Sequence, residues 1–312
     1  MEQNKNIYDV AIIGAGPAGY TAALYSARAG RSAIVFEKAS PGGQMGITST
    51  IENYPGFASV EGFELAMKME SQAKGLGAAC KTEAVLAVSE ENGWKKVITK
   101  KGEYLARALI IATGAKPRLL DVPGEALYTG RGVSYCATCD GMFYRGQDVA
   151  VNGGGDTAFE DALYLSNMCR SVTLIHRRDQ FRAAAYLVKR AREKDNIHFI
   201  LNTVIKEIKG QDSRLSGLIL SDKISGKESE LQCSGLFVAA GRVPETELFR
   251  DLVDLDQTGY VIAGEDTRTS RPGVFAAGDV RTKSLRQIVT ACSDGAVASQ
   301  AAEEWIEGME EV

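Results

Sequence analysis

At 312 residues, 45% of them hydrophobic, the chain is long enough for two medium domains or one large one and has the apolar material for a proper core. Thirty-six lysines and arginines against 40 acids leave a net charge of −4, which excludes any global recruitment of nucleic acid or anionic lipid, so a basic site has to be local. The 33 glycines, in a sequence that is neither repetitive nor low in complexity, point to tight turns and close backbone approach to ligands.

Val10 to Ala27 is the one uncharged stretch near membrane-spanning length, but Gly14, Gly16, Pro17 and Gly19 interrupt it, and the polar, charged segment Met1–Asp9 is no basic leader. No membrane span or signal is expected, and the chain reads as cytoplasmic. Of the six cysteines, Cys80, Cys169, Cys233 and Cys292 stand singly among small or apolar neighbours and read as buried hydrophobes in a reducing compartment.

In chain order, Asp9–Ile13 reads as a strand buried on both faces that feeds into Gly14-Ala15-Gly16-Pro17-Ala18-Gly19. An Ala- and Leu-rich helix, Tyr20 to Ala29, follows; Gly30 stops it, and Ser32–Phe36 is the next strand, ending at Glu37. This is a complete strand, turn, helix, strand unit of the dinucleotide-binding kind. Gly14 permits the turn, Gly16 lets backbone N–H groups approach a pyrophosphate, and Gly19 lets helix and strand pack closely. The Glu37 carboxylate, about 20 positions beyond the glycines, accepts from a free ribose 2′-hydroxyl and repels a 2′-phosphate, so the first site suits FAD or NAD and disfavours NADP.

Pro41-Gly42-Gly43-Gln44 and Ile51–Gly56 are too rich in glycine and proline for regular elements and read either as surface loops or as a cofactor-facing loop. Phe63–Lys74 is an amphipathic helix, and Val85–Val88, Lys96–Thr99 and Tyr104–Ala106 alternate like an antiparallel ribbon. Leu109–Gly114 then resumes a buried strand ending in the small residues Ala112-Thr113-Gly114, and Pro117 and Pro123-Gly124 mark a crossing between domains.

In Ser134–Gly141, Cys136 and Cys139 stand three positions apart, so a disulfide between them closes a small ring that opens and recloses easily. That suits a redox switch better than a staple. The competing zinc half-site needs four ligands, and no second pair or His-rich partner accompanies it in a chain whose only histidines are His176 and His198.

The opening grammar then repeats. Asp148–Val151 is a strand, Gly153-Gly154-Gly155-Asp156-Thr157-Ala158 a second fingerprint with alanine in the third glycine slot, Phe159–Ser166 its helix and Ser171–Ile175 the following strand. Where the first unit ends in an acid, this one ends in His176-Arg177-Arg178, with Arg182 four positions further on. Guanidinium groups there pair with a 2′-phosphate, so the second site selects NADPH. Tyr186–Lys194 continues as helix; Ile197–Leu201, Ile205–Ile208, Leu215–Leu220 and Leu236–Ala239 read as strands, and Gly241–Pro244 is the second crossing. Val274–Asp279 is a buried strand ending in Gly278-Asp279, and Arg286-Gln287 precedes an Ala-rich helix from Ile288 to Glu307. Either Asp279 and nearby N–H groups reach the flavin side of a dinucleotide, or this is a turn with an N-cap aspartate.

Taken together, Gly14–Gly19, Gly42-Gly43-Gln44, Ala112–Gly114, Cys136–Asp140, Gly153–Ala158, His176–Arg178, Gly278-Asp279 and Arg286-Gln287 closely resemble the low-molecular-weight thioredoxin reductases, in the family's order and over essentially the whole chain. The resemblance implies an α/β fold of two Rossmann-like three-layer ββα domains: a discontinuous FAD domain, 1–116 and 245–312, and an inserted NADPH domain, 117–244, that carries the disulfide. It implies that FAD meets Gly14, Ala15, Gly16, Pro17, Ala18, Gly19, Glu37, Lys38, Gly42, Gly43, Gln44, Asn53, Ala112, Thr113, Gly114, Gly278, Asp279, Arg286, Gln287 and Ile288. NADPH would meet Gly153, Gly155, Asp156, Thr157, His176, Arg177, Arg178 and Arg182. Further implications are a homodimer, a rotation of one domain against the other, and electron flow from NADPH through FAD and the Cys136–Cys139 disulfide to thioredoxin. Cys139 would face the flavin, Cys136 attack the partner's disulfide and Asp140 manage protons; an acid beside two thiols raises their pKa, so it serves better as proton donor or acceptor than as activator. Asn152 departs from the apolar residue or glycine expected before the second fingerprint.

Rival readings redirect the electrons. A ferredoxin–NADP reductase or peroxide-forming oxidase would not need Cys136 and Cys139, and a ferredoxin-fed reductase would not need the intact second fingerprint. A reductase of a peroxiredoxin system or of another thioredoxin-like partner is barely separated by sequence. A flavin-binding redox sensor without turnover is the reading from a different class.

Overall fold

The computed structural model describes residues 6–48 and 50–310; Met1–Lys5, the start of the segment read as no leader, and Ser49 lie outside the described residues. Contacts divide the chain into two compact units, Met1–Lys116 with Val243–Val312 and, between them in sequence, Pro117–Arg242. Among the described residues no helix is long and apolar enough to cross a membrane.

The first unit opens with strand β1 (Asn6–Ile13), helix α1 (Pro17–Arg28) and strand β2 (Ala33–Glu37), and continues through α2 (Gly62–Gly75) and β3 (Ala79–Thr82). It then runs through β4 (Val85–Glu91), β5 (Trp94–Thr99) and β6 (Glu103–Ile111) to the short β7 (Ala115–Pro117). The sheet order is β3-β2-β1-β6-β5-β4, with β1 parallel to both β2 and β6. Val10 and Ile12 face one core and Ala11 and Ile13 the other, which is why β1 reads as an unbroken apolar run. Helix α1 begins at Pro17, three residues before the expected start, because proline's fixed φ and missing N–H suit the first helical position.

One expectation is corrected here: Tyr104–Ala106 and Leu109–Ile111 are not separate strands but one. Residues Glu103–Ala106 pair antiparallel with β5, and farther along the same edge Leu109–Ile111 gain a parallel partner from the C-terminal part of the chain. The partner changes while the strand continues, and the antiparallel half masks the join in the sequence. Cys80 and Cys292 are also only partly buried, unlike Cys169 and Cys233.

The second unit contains α3 (Glu125–Tyr128), β8 (Val133–Ser134), α4 (Ala137–Asp140), β9 (Asp148–Asn152), α5 (Asp156–Ser166), β10 (Ser171–Ile175), α6 (Ala185–Arg192) and β11 (Ile197–Ile200). It ends with β12 (Thr203–Gln211), β13 (Arg214–Asp222), β14 (Glu228–Gln232) and β15 (Gly235–Val238). A five-stranded parallel sheet, β11-β10-β9-β15-β8, forms the middle layer. On one face Val149, Val151, Leu174 and Phe237 meet Phe159, Leu165 and Leu187 of α5 and α6. On the other, Ala150, Ile175 and Leu236 meet Ile205, Ile208, Leu218 and Leu220 of the antiparallel β12-β13-β14 sheet. The result is the three-layer ββα arrangement. Asn152 closes β9, in register with Ile175 on one side and Val238 on the other.

The chain re-enters the first unit through β16 (Arg242–Pro244), which pairs with β7, and adds β17 (Val274–Ala276) against β6 and the long helix α7 (Ile288–Glu310). Helix α7 outruns its expected end at Glu307 because Glu310 receives Arg31 and Arg107, a pair of long-range partners.

Candidate active site

The first fingerprint is built by close backbone approach. Gly14 adopts φ +109°, and a Cβ there would lie 2.3 Å from the Ala112 carbonyl oxygen; a Cβ at Gly19 would lie 1.9 Å from the Gly14 carbonyl oxygen. By contrast, a Cβ at Gly16 would meet nothing within 4 Å, and it is on this open side that α1 begins, with neither a side-chain cap nor an acid in its first turn. Such a helix start offers unpaired N–H groups and partial positive charge to an anion. Other predicted residues converge on the loop. The Gly42 N–H donates to the Ala15 carbonyl at 2.8 Å, Gly43 faces Gly16, the Ala112 N–H donates to Ile13, and Gly278 lies against Ala18.

The Glu37 carboxylate accepts the Ala15 N–H at 3.1 Å and the Ala39 N–H at 3.0 Å, which fixes it between the loop and the end of β2. Residues 234 positions apart also come together, the Asn53 amide donating to the Gln287 side chain at 3.1 Å. Thr113 donates its hydroxyl to the Glu245 carbonyl at 2.7 Å. Lys38 is placed otherwise: its ammonium lies 2.6 Å from Glu245, which also holds Lys116 at 2.7 Å, so its charge is matched within the protein.

In the second fingerprint the tight positions are Gly153, where a Cβ would lie 2.6 Å from that of Ala158, and Gly154, where it would lie 2.2 Å from the His176 ring. Gly155, at the start of α5, is open. Asp156 accepts the Ala184 N–H at 2.7 Å, so its carboxylate ties a neighbouring loop to the helix start. Arg177, Arg178 and Arg182 are exposed beyond β10. His176, assigned to NADPH by the resemblance, is placed differently from the arginines. Only 7% exposed, it packs beneath Gly154 and beside Phe181, with Nε2 3.1 Å from the Gln180 carbonyl. Burial, reinforced by Arg177 and Arg178, pushes its pKa down against the pull of its backbone partners, so the ring shapes the loop as a neutral group.

Cys136 and Cys139 form a disulfide with their Cα atoms 5.3 Å apart. Cys136 precedes the single turn α4, and its carbonyl accepts the N–H groups of Cys139 and Asp140, so the turn itself holds the two sulfurs together. Ser134, absent from the sequence-based site, organises the centre: its hydroxyl lies 2.6 Å from Asp140 Oδ2, and its oxygen accepts the Cys136 N–H at 3.1 Å. Burial pushes the Asp140 carboxyl above the ordinary carboxylate range despite the hydrogen bond from Ser134. A carboxyl poised in this way can hold a proton for a departing thiolate.

A family model for pyridine nucleotide-disulphide oxidoreductases matches residues 8–295. The chain is 46% identical over 311 residues to a thioredoxin reductase of Listeria monocytogenes, covering 100% of this chain and 98% of the relative. It is 44% identical over 311 residues to a thioredoxin reductase of Bacillus subtilis, with coverage of 100% and 98%. The chain belongs to the thioredoxin reductase family. The crystal structure of the Streptococcus pyogenes member superposes with a TM-score of 0.93 at 46% identity, over 98% of this chain and 100% of that one.

Members of this pyridine nucleotide-disulphide oxidoreductase family use a flavin and a pyridine nucleotide, and both fingerprints fit such groups: at Gly16 and Gly155 the space a Cβ would take is open beside a helix start. Around the first fingerprint the predicted Arg286 and Gly278 join residues that sequence reasoning missed: Tyr260, Arg281, Lys283 and Asp294. The Arg286 guanidinium lies 4.2 Å from the Tyr260 ring centroid and donates to the carbonyls of Asp279 and Arg281. Asp294, buried in α7, accepts the Gly278 N–H at 2.9 Å, a two-pronged contact from Arg281 at 2.8 Å and Lys283 at 2.7 Å. Burial pushes the Asp294 carboxyl up, and these donors outweigh it and hold the group below its ordinary range. The available signal was a lone charge in the otherwise uncharged run Ile288–Ala302.

Proposed function

We propose that this chain is an NADPH-dependent flavoprotein disulfide reductase that passes electrons through its Cys136–Cys139 disulfide to the disulfide of thioredoxin. The observation that carries the reading is the disulfide itself, closed over one helical turn beside Asp140, whose carboxyl is pushed above its ordinary range by desolvation. FAD is assigned to Gly14–Gly19, Glu37, Gly42–Gln44, Asn53, Ala112–Gly114, Gly278-Asp279 and Arg286–Ile288, with Lys38 contributing through its ion pair. NADPH is assigned to Gly153, Gly155, Asp156, Thr157, Arg177, Arg178 and Arg182, with His176 supporting the loop. The unit Pro117–Arg242 is accordingly the nucleotide domain and the discontinuous unit the flavin domain.

When bound, FAD supplies two-electron transfer between a nicotinamide hydride and a disulfide. The chain supplies the rest. Exposed guanidinium groups select the 2′-phosphate, and the Glu37 carboxylate accepts from a free ribose hydroxyl. Cys139 is the sulfur facing the flavin. Reduction of the disulfide leaves Cys136 as the thiolate that attacks a sulfur of the partner's disulfide, and Cys139 then displaces the partner's thiol from the mixed disulfide. Asp140 holds and returns the proton, with Ser134 orienting it. Two copies of the chain act as a homodimer in the cytoplasm.

Stopped-flow reduction tests the order. In Cys136→Ser, NADPH should still bleach the flavin absorbance while thioredoxin reduction falls at least about 1,000-fold, as loss of a nucleophile demands. Loss of bleaching would refute the order. NADPH oxidation driven equally by oxygen alone would refute the disulfide acceptor.

A further inference from the structure

Buried ion pairs are expensive, and a buried cluster with unequal charges is more so. The cluster beneath the Gly278–Asp279 turn is of the second kind. Arg281, 1% exposed, directs both Nε and Nη2 at the two Asp294 oxygens, and the Lys283 side chain, 6% exposed, places its ammonium on the same carboxylate at 2.7 Å. The remaining partners are carbonyls: Arg281 donates to Ala263 and Thr282, and Lys283 to Thr290. Glu265, which also meets Arg281 at 3.2 Å, is 92% exposed and therefore screened by water. Two buried cations thus share one buried anion, and the anion is bonded directly to the Gly278 N–H. Asp294 reaches the turn directly and is already paired with Arg281, so Lys283 brings a second buried cation to a carboxylate that carries one negative charge.

We propose that Lys283 is a positioning residue that keeps an excess positive charge buried behind the Gly278–Asp279 turn and so raises the midpoint potential of the FAD held there. The inference rests on the assignment of Gly278-Asp279 to FAD. Reduction of a flavin adds two electrons, and where fewer than two protons accompany them the ring gains negative charge. A fixed cation behind the turn favours that form over the oxidised one. Asp294, in turn, holds both cations and the turn in one arrangement.

The test is a redox titration of the purified holoprotein against a dye of known potential, with FAD affinity and melting temperature measured alongside. Lys283→Met keeps the aliphatic packing and the Arg281–Asp294 pair, and should lower the ratio of reduced to oxidised flavin at a fixed potential by about threefold or more, with FAD affinity changed less than about twofold. Lys283→Arg restores the charge and should restore the ratio. An unchanged ratio in a Lys283→Met protein that still binds FAD, or a loss that Lys283→Arg does not reverse, would overturn the inference while leaving the FAD assignment intact. A wild-type protein that takes up no FAD would overturn both.

Discussion

The two glycine-rich loops use the same backbone plan with different close contacts and opposite charge. In the first, the third glycine slot rests on the loop itself, a Cβ at Gly19 falling 1.9 Å from the Gly14 carbonyl oxygen. In the second, that slot is Ala158, and the tight contact has moved to Gly153 and to Gly154 over the His176 ring. Past the second strand, the first unit ends in a carboxylate pinned by two backbone N–H groups, whereas the second ends in a buried imidazole and exposed arginines. Under the proposed assignment, the difference lets one motif serve two nucleotides. An acceptor for a single hydroxyl has to be fixed in place, while guanidinium groups that meet a mobile phosphate act from solvent.

The largest consequence concerns the third slot. Gly19→Ala drives a methyl group into backbone that has no room to yield, and should cost about 3 kcal/mol or more in urea denaturation, with loss of FAD. Ala158→Gly removes a methyl from the equivalent position, and should cost about 1 kcal/mol, mostly helix propensity, with the flavin retained. Equal costs would mean that the two loops do not differ in the way their contacts imply.

Why this contrast was only half visible beforehand is a matter of range. The β1–α1–β2 and β9–α5–β10 units were legible because both strands are buried on two faces and Gly14, Gly19, Gly153 and Gly154 answer a local demand for space. The charges at Glu37 and Arg177-Arg178 stand at strand ends, where sequence position alone assigns them a direction. His176 stands beside the two arginines in sequence, yet its ring turns inward to fill the space that Gly154 leaves, a placement that no local pattern records. Strand β14, mostly exposed and polar, carries no apolar alternation to betray it. The Asp294 cluster and the Lys38–Glu245–Lys116 ion pairs depend on charged partners from 11 to 207 positions apart, which no local pattern records.

The charge at the strand ends is tested next. Replacing Arg177 and Arg178 together with glutamine should raise the KM for NADPH about 10- to 100-fold in steady-state assays and leave that for NADH within about twofold, because only the 2′-phosphate loses its charge-assisted bonds. Equal effects on the two nucleotides would remove the 2′-phosphate assignment from the second loop.

The smallest effect separates the loops by pH. Burial holds the His176 pKa below its ordinary value, so near and below pH ~6.5 the unfolded chain takes up a proton more readily than the folded one. The stability contributed by neutral His176 is therefore full above that range and is lost as the pH falls through it. The loop Gly153–Ala158 lies directly over the ring, and the loop Gly14–Gly19 contains no such group. Amide exchange, corrected for its intrinsic pH dependence, should accordingly show protection around Gly153–Ala158 declining between pH 7 and about 5.5, while protection around Gly14–Gly19 stays level. His176→Gln, which keeps a side-chain donor toward the Gln180 carbonyl but cannot be protonated in this range, should flatten the decline. A decline that persists in the variant, or one shared equally by both loops, would mean that the imidazole does not support the second loop as its packing implies.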